Sequence, residues 1–414
     1  MSLIGRFLGP VITKGRLEII HADGAVDRLG SATVGFPDVR IRFTDRHVIR
    51  RIVANPRLGA AEAFMDGRLV IEQGDIMDLI ELVRSNRPWE RGGRLKEPGP
   101  IRRVAEFFAD RRNRHNRQTQ ARANVAHHYD IGNALYRLFL DQDMQYSCAY
   151  FAHPGMSLEE AQLAKKVHIA AKLDLKPGQR VLDIGCGWGG MALHLHRTTG
   201  VDVVGITLSA EQLDLARQRA QEEGVGDHVT FELIDYRDLA RQRPGEFDRI
   251  VSVGMFEHVG QAQFDLFFRC CANLMRDDGV MLLHTIGRFG MPGQTDAFTR
   301  KYIFPGGYIP ALSETIAASE KSRLIATDIE TLRLHYALTL REWYKRTLAQ
   351  REQIVALYDE RFYRMWTFYL AGATAAFESG GMGNYQIQFS RNRHTLPLTR
   401  DYIARREAEL SDRG

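Results

Sequence analysis

Cysteine is scarce in this chain of 414 residues: there are four, Cys148, Cys186, Cys270 and Cys271, with no C-x-x-C pair and no regular spacing. That excludes a disulfide framework, and with no secretory leader ahead of them the expected setting is reduced and intracellular. Long apolar runs are missing too. The opening MSLIGRFLGPVI is interrupted by Arg6 and Pro10, and MWTFYLAGATAAF falls short of the roughly 20 residues that a membrane-spanning helix needs. No span is expected. Internal repeats and low-complexity tracts are absent, and 44% hydrophobic with 26% charged residues excludes a mainly disordered or fibrous chain. The length allows one full core and a second, smaller domain.

The net charge is +5, unevenly placed: between Arg91 and Arg122 ten Lys or Arg face three acids. Such a run reads either as a solvated linker or helix face, or as a segment drawn to anionic phospholipid headgroups. No aromatic interleaving accompanies it, so nucleic acid is not expected as a partner. The run starts at RPWERGGRLKEPGP, whose Pro and Gly mark a boundary near residue 90. Before it, RLEII, AVDRLG and VRIRF alternate like half-buried strands, and DRHVIRRIVAN and DIMDLIELVRSN carry helical spacing, which predicts a small α+β domain over 1–90. Residues 91–118 are then a basic linker, and 119–414 the larger domain.

In that larger domain RVLDIGCG, VDVVGIT, VTFELID, FDRIVSVG and GVMLLHTI are short apolar runs separated by helical stretches such as SAEQLDLARQRAQEEG. This rhythm predicts an α/β fold: a doubly wound, mostly parallel, Rossmann-like sheet. Ligands of such sheets sit at the carboxyl ends of the strands. There DIGCGWGG places Gly185, Gly187, Gly189 and Gly190 between a strand and a helix, where a ligand can approach bare backbone. A nicotinamide site would want an acid about 20 residues on. That place reads GITLS and has none. Asp183 before the loop and Asp235 in LIDYRD instead suit a sulfonium cation and an adenine amino group, the chemistry of S-adenosylmethionine.

VSVGMFEHVG poses the remaining problem, because it sets Glu257 beside an apolar wall, where an unpartnered carboxylate costs several kcal/mol. Its plain alternative is a solvated carboxylate at a helix N-terminus. His284, at another strand end, reads alone as a satisfied core histidine, and Cys148 as a small buried apolar group. Cys186, Cys270 and Cys271 are taken as structural. His127, His194, His196 and His258 show no metal-ligand spacing, and no metal site is expected.

Together QYSCAYF, VLDIGCGWGG, VVGITLSAEQ, DYRD, VSVGMFEHVG, LLHTIG and KYIFPGGYIP resemble the cyclopropane-fatty-acyl-phospholipid synthase family over residues from about 119 to 400. AEAFMDGRLVIEQGD is similar to the extra N-terminal domain, with a sterol-carrier-like fold, of its bacterial members. The resemblance implies an S-adenosylmethionine-dependent methyltransferase domain that transfers a methylene to a cis double bond of a membrane lipid through a carbocation. It implies a bound bicarbonate as base, held by Cys148, Glu257, His284 and Tyr336 and by the backbone of Ile286. Cofactor contacts carry over onto Tyr146, Ser147, Gly185, Gly187, Thr207, Leu208, Gln212, Tyr236 and Arg237; Asp183 and Asp235 come from the sheet argument.

Aromatic faces suit a carbocation, which makes Tyr146, Tyr150, Phe256, Tyr302 and Tyr336 candidates to shield it. VAHHYDIGNALYRLFLD, with His128, Tyr129, Asp130 and Asn133, resembles the family's lid. The implied partners are unsaturated phospholipids at the membrane surface and a second copy of the chain, in a cytoplasmic protein attached peripherally to the inner face of the membrane. Two other readings are a C-methyltransferase giving a methylidene or branched acyl product, and a lipid-binding or transfer protein with an inactive catalytic domain. Against the latter, every carried-over position is chemically intact.

Overall fold

The computed structural model describes residues 1–93 and 132–411. Most of the expected linker 91–118 lies outside them, as do His127, His128, Tyr129 and Asp130 of the expected lid. Packing divides the chain into two units, and the first joins residues 1–93 to Thr295–Pro305 and Ala337–Met382. The boundary read near residue 90 therefore misses two later segments that return to the first unit. Among the described residues, no helix is long and apolar enough to cross a membrane.

The first unit holds strands β1 (Gly15–Ile20), β2 (Val26–Ser31), β3 (Asp38–Phe43) and β4 (Leu69–Gln73) in the order β2-β1-β3-β4. In β3 the alternation read from VRIRF buries Val39, Ile41 and Phe43 while Asp38, Arg40 and Arg42 face out. Helix Arg46–Ala54 starts at Asp45, and Ile76–Ser85 at an Asp75–Asp78 capping box, where side-chain oxygens satisfy the first free N–H groups. Val48, Ile52 and Leu82 close the core over Leu17, Ile19 and Ile41. The late helix Glu360–Glu378 packs on helices Pro56–Met65 and Ile76–Ser85.

The second unit is a seven-stranded sheet of β5 (Arg180–Ile184), β6 (Asp202–Thr207), β7 (Val229–Leu233), β8 (Phe247–Val253), β9 (Met275–Arg288), β10 (Ile325–Leu332) and β11 (Met382–Ser390). Their order is β10-β11-β9-β8-β5-β6-β7. Neighbours from β9 through β7 pair in parallel, and β10 is antiparallel to β11. One apolar core lies under helices Leu158–Lys172, Gly190–Thr199 and Ala210–Glu222; a second lies under Tyr236–Gln242, Phe264–Leu274 and Leu312–Glu320. A sheet covered on both faces explains why β8 is buried along almost its whole length instead of alternating. This is the doubly wound, mostly parallel fold read from the sequence. Chain order reverses between β5 and β8, so the loops leaving their carboxyl ends diverge and open a crevice.

Candidate active site

At that crevice lies a cleft of about 1150 Å³, counted out to its open mouth. Its wall contains all eleven residues expected around a cofactor: Tyr146, Ser147, Asp183, Gly185, Gly187, Thr207, Leu208, Gln212, Asp235, Tyr236 and Arg237. Gly187 has φ +55 and a β-carbon there would meet nothing within 4 Å, so the loop presents open backbone to the cleft. Thr207 and Gln212 are fixed by each other, Thr207 Oγ1 donating to Gln212 Oε1 at 3.0 Å. Asp235 caps helix Tyr236–Gln242 and is clamped by Arg237, whose Nη2 lies 2.6 Å from Oδ2. Its carboxylate is thus partly engaged already.

Asp183 is different. It is 2% exposed, and its Oδ2 has no hydrogen-bond partner. Burial pushes its carboxyl up to about 7, with Lys165 pulling the other way. A buried, unpartnered carboxylate on a cleft wall fits a ligand that brings positive charge.

Sequence reading missed Met144, Gln145, Trp188, Met255 and His258, which also line the cleft. It took Cys186 as merely structural, but that residue lines the cleft as a thiol raised well above its usual range by burial. Trp188 stood within the quoted DIGCGWGG motif and was available as a signal. Its indole N–H donates to Asn133 Oδ1 at 2.7 Å, and its ring lies 5.0 Å from that of Tyr136. The described part of the expected lid, helix Gly132–Phe139, is therefore tied to the cleft wall.

None of the five residues expected to be catalytic is among those that line the cleft; Cys148 and Glu257 follow the lining residues Ser147 and Met255 by one and two positions. Ser147, next to Cys148, packs on Gly254, and Gly254 N–H donates to His284 O at 2.9 Å. Glu257 Oε1 accepts the Ile286 N–H at 2.5 Å, while Oε2 is buried without a partner. Burial pushes Glu257 up to about 7; the N–H groups of its own residue and of Ile286 pull it down less. Cys148 is buried, its thiol raised by burial and directed at Ala149 O, 3.3 Å away, so it is a proton carrier and not a thiolate. Tyr336 follows His335, whose ring stacks on Tyr150 and whose Nδ1 accepts the Phe151 N–H at 3.0 Å. That clamp ties His335, next to Tyr336, to the segment that follows Cys148.

Four residues need correction. His284 was expected to donate to an anion, but Asn384 Nδ2 lies 2.8 Å from its Nε2 and Gln386 Nε2 3.2 Å from its Nδ1. Both ring nitrogens are engaged within the sheet, and burial drives the imidazolium form well down, so His284 is a neutral brace. Tyr150 lies between the parallel rings of His168 and His335, with centroids 4.2 and 5.2 Å away, leaving no face for a carbocation. Phe256 is fully buried against Phe264, and Tyr302 lies in the first unit, bonded to Glu62 with Lys301 over its ring. Of the five aromatics, Tyr146 lines the cleft.

Lys165, unremarked in the sequence, is fully buried and donates to Gln145 Oε1 at 2.7 Å and Ser147 Oγ at 2.8 Å. Burial lowers its ammonium to about 8, against the opposing pull of Asp141. It holds the Gln145–Ser147 wall in place from behind. Lys165→Met should raise KM for the cofactor and lower kcat together, each by roughly tenfold, since a misplaced wall costs both binding and alignment. Steady-state kinetics checks this; an unchanged KM would show that the wall stands without the ammonium.

The model of one family, described as mycolic acid cyclopropane synthetase, matches residues 116–387. This chain belongs to that family. A cyclopropane-fatty-acyl-phospholipid synthase from Escherichia coli K12 is 39% identical over 372 residues, spanning 89% of this chain and 92% of that protein. A probable fatty acid methyltransferase from Pseudomonas putida is 38% identical over 378 residues, with the same two shares. Among solved structures, the cyclopropane synthase MmaA2 from Mycobacterium tuberculosis is 33% identical with a TM-score of 0.62, covering 65% of this chain and 98% of that one. The mycolic acid cyclopropane synthase CmaA1, complexed with S-adenosylhomocysteine and CTAB, is 35% identical with a TM-score of 0.61 over the same shares. The chain is an S-adenosylmethionine-dependent methyltransferase of the mycolic acid cyclopropane synthetase family.

Proposed function

We propose that this enzyme adds a methylene to a cis double bond of a phospholipid acyl chain and closes it to a cyclopropane. The observation that carries this reading is Glu257: a buried carboxyl poised near neutrality, with one oxygen unpartnered, two residues past the cleft-lining Met255. S-adenosylmethionine, when bound, supplies an electrophilic methyl group. Tyr146 and the Gln145–Ser147 wall orient the reacting groups, and the apolar surroundings of Phe256 and Val259 keep water away. Ring closure then requires a proton to leave the new methyl, and Glu257 has the acidity and the free oxygen to accept or relay it.

Bicarbonate fits this corner poorly: the Ile286 N–H is given to Glu257 Oε1, the Cys148 thiol is directed at Ala149 O and both ring nitrogens of His284 are engaged, so three of the groups expected to hold it are already spent within the protein, and the unpartnered Glu257 oxygen is left to take the proton. The nature of the substrate calls for docking on a lipid surface, which supports the reading of a peripheral protein on the inner face of the membrane.

The test mixes purified protein, S-adenosylmethionine and vesicles of cis-unsaturated phospholipid. The acyl chain should gain about 14 Da, the mass of CH2, and the product should survive mild hydrogenation. A product that takes up hydrogen would be a methylidene, a gain of about 16 Da would be a saturated branch, and either would overturn ring closure. Activity on free fatty acid but not on vesicles would overturn the phospholipid assignment.

A further inference from the structure

The cofactor cleft lies at the carboxyl ends of the parallel strands. At the opposite, amino ends of β6 and β7 is a cluster that the reaction does not use. Asp202 opens β6, and His228 immediately precedes β7. The register Val203↔Val229 sets these two residues side by side, and Val203 N–H donates to His228 O at 2.8 Å. His196, in the last turn of helix Gly190–Thr199, reaches the same spot, its ring 17° from parallel with that of His228 and 5.0 Å away. We propose that His196, Asp202 and His228 form a binding site for a borderline divalent transition metal ion, zinc being the probe of choice.

The donor chemistry argues for it. His196 Nδ1 lies 2.8 Å from Val201 O, and a carbonyl can only accept, so that nitrogen carries the proton. His196 is thereby fixed in the tautomer whose Nε2 has a lone pair to give, its ring oriented by a carbonyl as ligating histidines are. His228 Nδ1 and Asp202 Oδ1 lie 2.8 Å apart, so the two atoms that share a proton in the free protein can give it up and close on one ion instead. One donor atom from each of the three residues lies within 4.8 Å of the others, so small side-chain rotations bring them around one ion. Two imidazoles and one carboxylate suit zinc, nickel or copper; calcium and magnesium want a fuller set of oxygens. The C-terminal end of a helix, where His196 sits, also favours positive charge. No spacing in the sequence announces this site, because its residues come from a helix and two strand starts that the fold alone brings together.

The test uses tag-free full-length protein, stripped with a chelator and desalted, in equilibrium dialysis against micromolar zinc. All four cysteines are buried, so surface thiols do not compete. One equivalent of zinc should bind, and the melting temperature should rise with zinc concentration, as for any ligand of the folded state. His196→Ala and His228→Ala should each weaken binding at least tenfold and abolish the thermal shift, whereas His394→Ala, at an exposed position elsewhere, should change neither. The side chains of His228 and Asp202 are 60% and 54% exposed, so His228→Ala and Asp202→Asn leave the core intact. Asp202→Asn should weaken zinc binding as well. No zinc bound by the wild type, equal binding by the histidine variants, or equal retention of calcium would each overturn the proposal.

Discussion

Glu257→Gln should lose most of the turnover, on the order of 10²- to 10⁴-fold in kcat, the range spanned by positioned acid–base groups, while its affinity for S-adenosylmethionine stays within about twofold. The substitution is nearly isosteric. Gln Oε1 can still accept the Ile286 N–H that Glu257 Oε1 accepts at 2.5 Å, so the turn after β8 keeps its tether. What disappears is the ability to gain and lose a proton at the atom that has no protein partner. The pH profile separates this from a structural effect. Burial raises Glu257 to about 7, so at saturating cofactor the wild-type kcat should climb through neutral pH as the carboxyl ionises and level off above it. The variant should be flat across that window. A parallel loss of cofactor affinity, or a limb near pH 7 that survives in the variant, would place the proton-handling group elsewhere.

The eleven positions expected around a cofactor line one cleft. Asp183, Gly185, Gly187, Thr207, Leu208 and Asp235 do so because a strand end in a doubly wound sheet faces the crevice whatever the rest of the chain does, whereas Gln212, Tyr236 and Arg237 come from the first turns of the helices that follow, and Tyr146 and Ser147 from a segment with no strand before it. Roles that depend on what a side chain meets across the fold were not legible. An aromatic residue near a site in sequence has two faces, and neighbours 18 and 185 residues away, His168 and His335, cover those of Tyr150. His284 looked available because Asn384 and Gln386 lie about a hundred residues further on. The same non-locality hid the return of Thr295–Pro305 and Ala337–Met382 to the first unit. Lys165 reads as one more lysine on an amphipathic helix until the structure buries it behind Ser147.

Asp183→Asn should weaken S-adenosylmethionine binding by roughly thirtyfold or more, the loss expected when one partner of a buried charge pair is removed, and it should make the ligand-free protein more stable at pH 8. The two effects have one cause. Burial raises the Asp183 carboxyl from 3.8 to about 7. Between those values the native state holds a proton that the unfolded chain has released, so ligand-free stability falls as pH rises through the window and the full cost is present above it. An asparagine has no charge to desolvate and escapes that cost. Calorimetry of the free proteins should therefore show the variant melting above the wild type at pH 8, with the gap closing toward pH 4. A saturating cationic cofactor neutralises the wild-type carboxylate and should reverse the order. Titration of cofactor binding gives the matching signature: wild-type affinity should weaken about tenfold per pH unit below neutrality, because Asp183 must shed its proton before a cation can settle against it, and the variant should show no such slope. Should the free variant instead melt below the wild type at pH 8 while keeping its affinity, Asp183 would be a packing residue, and the positive charge of the cofactor would find its counterpart in Asp235, already clamped by Arg237.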